Sequence, residues 1–197
     1  VHFRITDDLM QKSKYPIQKE YGKKAGFALA KQIESDLLGL YSTLSQDAAT
    51  ATGGPETAPT NMDESYFTFG IQLLDDGLCP PDNRYFICSP KVKRDLRLLN
   101  RLTSEETRTG SGKQLTSGKI TMDWHGVEIL STPLVKTASS QRKNIMWSKE
   151  AFALAIQKKV SMTEFARDGW RRNFGAMEVY GFGETRDAEA VVVSTVS

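Results

Sequence analysis

The chain has 197 residues, 39% of them hydrophobic and 25% charged, with a formal net charge of +2. That balance supports one folded core, or two small lobes that share one, and excludes disorder throughout. It lacks the clear basic excess of a dedicated nucleic-acid binder, and no apolar run approaches the roughly 20 residues that span a bilayer as a helix.

The opening residues 1–5 alternate apolar and polar, the period-two pattern of a half-buried strand, and Thr6-Asp7-Asp8 interrupts it. Over residues 15–44, Ile17, Tyr21, Ala25, Leu29, Ile33, Leu37, Leu40 and Leu44 recur at steps of four and three. This is one face of a long amphipathic helix, with Pro16 suited to its first turn. A rod of about 28 residues measures on the order of 42 Å at 1.5 Å per residue, longer than a small domain needs. Gly22 and Gly26 either admit a close neighbour or are two tolerated glycines. Residues 45–60 read as an exposed loop around Gly53-Gly54-Pro55.

A short helix is expected over 66–78, then a turn at Pro80-Pro81-Asp82-Asn83 and a buried strand at Arg84-Tyr85-Phe86-Ile87-Cys88. Ser89 caps the next helix and Pro90 takes its first position, with Val92, Leu96 and Leu99 inward and Lys93, Arg94, Arg97 and Arg101 outward. A polar, glycine-containing loop covers 103–118. Strand-like runs at 120–124 and 127–130 flank a turn at His125-Gly126, and another strand is expected at 144–147. Ser148 then reads as the cap of a helix through Val160, carrying Ala151, Phe152, Ala155 and Ile156, before late strands at 178–181 and 190–193.

No catalytic constellation accompanies these elements. His2 and His125 are the only histidines, and neither has a partner at metal-ligand spacing. Gly110-Ser111-Gly112-Lys113 fails the phosphate-loop pattern, which needs glycine where Thr107 stands and Ser or Thr where Gln114 stands. Asp7-Asp8 and Asp75-Asp76 are adjacent carboxylates, read as a polar turn and a helix end rather than two carboxyls facing one cleft. No metal or cofactor is expected. Cys79 and Cys88, the only cysteines, suggest a reducing compartment without a disulfide scaffold, one bridge between them remaining open. There is no signal-peptide pattern.

Two clusters are candidates for contact. Lys91, Arg94, Arg97 and Arg101, spaced three, three and four apart, form a basic helical face. It is either solvated or set against phosphate backbone or an acidic neighbour. Arg167, Trp170 and Arg171, with Arg172 and Phe174 beside them, combine the residue types enriched at protein interfaces.

Three stretches carry a resemblance through their order. The first runs from Leu73-Leu74-Asp75-Asp76-Gly77 through Pro80-Pro81 to Arg84-Tyr85-Phe86 and Ser89-Pro90. The second is Gly118-Lys119-Ile120, Gly126-Val127-Glu128-Ile129 and Ser131-Thr132-Pro133. The third is the Ala-rich run 147–155, then Tyr180-Gly181 and Ala190-Val191-Val192-Val193. Together they resemble the major capsid proteins of tailed bacteriophages, those with the Hong Kong 97-type fold.

The resemblance implies an α+β fold with a long spine helix at 15–44. It implies a peripheral lobe from 15–66 and 135–197, an axial lobe from 67–134, and a strand in 1–14 that ends an extended loop reaching a neighbour. The family's N-terminal arm and the first half of that loop would precede Val1. Implied partners are other copies in pentamers and hexamers, scaffolding, portal and decoration proteins, and packaged double-stranded DNA held non-specifically, with no membrane. The implied location is the virion, assembled in the host cytoplasm. An encapsulin-like compartment shell is the related alternative. A small α/β ligand-binding or hydrolase domain is the alternative from another class, and it needs a convergent polar site.

Overall fold

The structure is a computed structural model that describes residues 1–55, 57–99 and 123–196. In chain order its elements are β1 (His2–Thr6), α1 (Asp7–Lys12), α2 (Ile17–Gly39), α3 (Glu64–Asp76), β2 (Arg84–Cys88), α4 (Pro90–Leu98), β3 (Asp123–Trp124), β4 (Val127–Ser131), β5 (Thr137–Ala138), β6 (Gln141–Ser148), β7 (Phe152–Asp168), β8 (Arg171–Glu184) and β9 (Ala190–Val196). A 3₁₀ turn at Leu40–Ser42 follows α2.

The chain divides into two compact units, Val1–Leu37 with Leu154–Gly183, and Leu38–Ala153 with Glu184–Ser197. The lobe boundaries expected at 66/67 and 134/135 both fall inside the second unit. The reason is strand pairing: β2 runs parallel to β4 on one side and antiparallel to β6 on the other.

The second unit is built on a six-stranded sheet ordered β3-β4-β2-β6-β5, with β9 also paired to β6. Its core is Phe67, stacked on Trp124 at 4.5 Å and edge-on to Phe86 at 5.4 Å, surrounded by Leu74, Val92, Leu96, Met146, Val191 and Val193. The run Ala190-Val191-Val192-Val193 is buried throughout, as expected of a strand covered on both faces. Local signals set the element starts. Asp63 accepts from Tyr66 N to cap α3, and Ser89 accepts from Val92 N to cap α4 with Pro90 at its first position. His125 (φ 52°) and Gly126 (φ 77°) form the tight link between β3 and β4.

Two polar devices hold this sheet. Buried Asn144 accepts from Ser89 N at 2.9 Å and donates to Val193 O at 2.8 Å, so one side chain ties the α4 cap to β9. The segment 46–48 straps onto β9, with Ala48 N donating to Val192 O and Val192 N to Gln46 O. Asp47 fixes the strap by accepting from Lys143 Nζ at 3.2 Å and Ser194 Oγ at 2.8 Å. Cys79 and Cys88 are both free and buried, which closes the question of a bridge.

The first unit is a three-stranded sheet ordered β1-β8-β7 with α2 along it. β1 pairs antiparallel with β8, from His2↔Gly175 to Thr6↔Arg171. The expected edge strand is therefore completed on one side by its own chain. The helix expected from Ser148 to Val160 is not formed. Ser148 ends β6 opposite Arg84, and β7 is a 17-residue strand. Alanines at 151, 153 and 155 suit either period, and pairing in the sheet beside β8 decides the outcome.

Candidate assembly surface

The first unit has little interior. Its buried apolar residues are Ile5, Ala25, Phe174 and Ala176. Phe3 stacks on Phe174 at 5.4 Å and reaches Tyr21 of α2 at 5.5 Å. At Gly22 a Cβ would stand 3.3 Å from Met162 Sδ, so the missing side chain lets β7 approach the helix. Tyr180 Oη donates to Asp36, a bond that raises the phenol's pKa.

Fourteen of the seventeen large apolar side chains left exposed among the described residues belong to this unit, the other three being Leu78, Leu98 and Leu130. Those on β7 and β8 include Ile156, Phe165, Met177 and Phe182. A small unit with so much apolar surface and so little core has the composition of an interface rather than of a free-standing domain.

The β7–β8 tip is held by Asp7. Its carboxylate accepts from Arg167 Nη2 at 2.8 Å and from Arg172 Nε at 2.7 Å, and its backbone N donates to Trp170 O at 2.7 Å. Asp7 is itself buried, and the Arg167 bond first, then the Arg172 bond, holds its carboxyl below the ordinary carboxylate value. The pair Asp7-Asp8 is thus split between a buried ion-pair centre and an exposed partner of Lys12. Trp170 stands 79% exposed at the turn and Arg171 beside it is exposed. Arg167 and Trp170 come together as expected, but Arg167 is already committed to Asp7.

On α4 the expected basic face is present in part. Arg94 and Arg97 are exposed, Lys91 Nζ donates to Val196 O at 2.8 Å, and Asp95 is buried, accepting from Met62 N. Arg101 lies outside the described residues, as do Gly110-Ser111-Gly112-Lys113. Asp75 accepts from Arg84 Nη2 at 2.7 Å, so it serves a buried guanidinium and not a second carboxyl. Among the described residues no group of three or more His, Cys, Asp or Glu side chains could hold a metal ion. No helix there is long and apolar enough to cross a membrane. The sequence reading missed the Asp7–Arg167–Arg172 cluster, whose members lie about 160 residues apart, and the Asn144 tie.

A family model described as phage capsid protein matches residues 3–194. The chain belongs to that family. Its fold is the Hong Kong 97-type α+β fold, shared with solved capsid structures. The chain is similar to that of Mycobacterium phage Che8, with a TM-score of 0.79 and 19% identity over 98% of this chain and 68% of that one. It is similar to the capsid structure of cyanophage P-SCSP1u, with a TM-score of 0.70 and 13% identity over 100% and 71% of the two chains. It is also similar to a virus-like particle from Pyrococcus furiosus, with a TM-score of 0.62 and 14% identity over 98% and 73%. No curated protein sequence matches it. A capsid protein works as a shell subunit among copies of itself.

Proposed function

We propose that this capsid protein is the repeating unit of an icosahedral phage head, arranged in pentamers and hexamers around packaged double-stranded DNA, and that it performs no catalysis. The observation that carries the reading is the concentration of exposed apolar side chains on the first unit. Obligate interfaces bury more than about 2,000 Å² and are fairly apolar, which suits such a surface. Rings form when a heterologous contact closes on itself.

In this reading α2 and the β7–β8 hairpin belong to the peripheral lobe, drawn from 15–66 and 135–197, and 67–134 supplies the axial lobe. Residues 1–14 end the extended loop. Trp170 and Arg171 are contacts to a neighbouring subunit, while Lys91, Arg94, Arg97 and Arg101 face phosphate or an acidic neighbour. Scaffolding, portal and decoration proteins complete the assembly, which takes place in the host cytoplasm before the virion is released.

Negative-stain imaging of the full-length protein, expressed with its genomic neighbours, tests this. Closed shells that co-purify with nucleic acid are the expected result. Monodisperse monomers under all conditions would contradict it, and closed shells holding protein cargo without nucleic acid would favour a compartment shell.

A further inference from the structure

Helix α2 carries a charge pattern that the shell reading leaves unused. Lys19, Lys23, Phe27 and Lys31 follow one another at steps of four, a single ridge along the helix, and Lys24 lies in the next row beside Glu20. All six are exposed, Phe27 by 75%. The opposite side carries buried Ala25 and Gly22 against Met162, so the ridge points away from the sheet. None of the four lysines makes an ion pair among the described residues; Lys24 lies 5.5 Å from the centroid of the Tyr21 ring.

The helix's own dipole does little to compensate this charge. The positive end of a helix dipole is its N-terminus, where acidic side chains are favourable and basic ones are not. Here Lys19, Lys23 and Lys24 occupy the N-terminal half, and the last turn holds no basic residue. The effect is confined to the terminal turns, where Glu20 sits beside Lys19, so most of the ridge is left as net positive surface that a ligand of dense negative charge would neutralise.

We propose that the Lys19–Lys31 ridge binds the phosphate backbone of duplex DNA without regard to sequence, an inference that rests on the proposed DNA-enclosing shell. The ridge is about 18 Å long at 1.5 Å per residue, and a DNA strand presents a phosphate about every 3.4 Å of axis, so roughly five phosphates lie alongside four lysines. Lysine ammonium groups are flexible point charges, suited to phosphates in variable register, whereas arginine forks fix one geometry. Phe27 is the one exposed apolar residue on the ridge. A groove-binding protein helix needs anchors at several successive turns, so the surface fits a polyanion better than an acidic amphipathic segment.

The test uses the full-length chain and a random-sequence duplex of about 30 base pairs, with binding followed by fluorescence anisotropy as NaCl rises from about 50 to 200 mM, the range over which phosphate contacts are lost. The quadruple variant K19Q/K23Q/K24Q/K31Q keeps good helix formers, and circular dichroism verifies its fold. Its plot of log K against log salt should be shallower by about 3 to 4, from a slope of about 0.9 per phosphate contact, with affinity reduced more than about tenfold. The all-arginine variant at the same positions should keep binding. An unchanged slope in the quadruple variant would overturn the proposal. So would displacement of the duplex by poly-glutamate at equal charge concentration, which would indicate an acidic protein partner. Shell formation by the same variants is scored separately by imaging: shells with unaltered DNA binding sink this inference alone, and failure of the wild type to form shells sinks the reading beneath it.

Discussion

Arg172 Nε donates to Asp7 Oδ1 at 2.7 Å, joining the start of β8 to the first residue of α1 across 165 positions of sequence. Arg167 donates to the other carboxylate oxygen. A single buried acid therefore fixes where the entering strand meets the hairpin tip, and with it the position of Trp170.

This bond gives stability a defined dependence on pH. The Asp7 carboxyl takes up its proton near 3.8 when unfolded and only at lower pH when folded, because the two guanidiniums favour the ionised form. Its contribution is complete above about pH 5 and is lost as pH falls through the folded value. Asp7→Asn should lower the urea midpoint at neutral pH, and the gap from wild type should narrow as pH drops below about 4. A gap that stays constant into acid would contradict this.

Two glycines should respond oppositely to alanine. At Gly77 a Cβ would lie 2.4 Å from Ala188 O, a backbone atom. Gly77→Ala should cost about 1–3 kcal/mol by overpacking. At Gly26, inside α2, a Cβ meets nothing within 4 Å, and Gly26→Ala should add about 0.8–1.0 kcal/mol through helix propensity. Urea unfolding of the two variants gives both signs in one experiment.

Asn144→Ala should destabilise by at least about 2 kcal/mol, since it leaves the Ser89 N–H and the Val193 carbonyl buried without that partner. Thermal unfolding should show the loss, and a variant within about 0.5 kcal/mol of wild type, the ordinary range of a surface change, would refute the tie.

The two thiols should be inert in the folded chain. Burial pushes Cys88 up to about 12 and raises Cys79 as well. A thiol reagent at mildly alkaline pH should label neither until urea is added, and then both. Rapid labelling of the native chain would contradict their burial.

What could be read from the sequence is what local chemistry encodes. Arg84–Cys88, the Ser89 cap with Pro90, and the His125-Gly126 turn are each set by a few adjacent residues, and each was placed correctly. The stretch from Ser148 to Val160 misleads because Ala151, Phe152, Ala155 and Ile156 satisfy a helical period, while the pairing that makes β7 a strand comes from β8 beyond the turn. Asp7 looks like part of a polar turn in the sequence, since its arginine partners are remote along the chain. The long rod was legible from its apolar period, though regular α2 is shorter than the expected span, ending at Gly39 with a 3₁₀ turn after it.

If the chain is the repeating unit of a shell, neighbouring copies cover the exposed apolar surface of the first unit. Hydroxyl-radical footprinting with mass spectrometry measures this directly, by comparing the unassembled full-length chain with the assembled particle. Trp170, Phe165 and Met177, all exposed in the single chain, should be oxidised readily before assembly and become strongly protected after it. Equal oxidation of all three in both states would contradict the account.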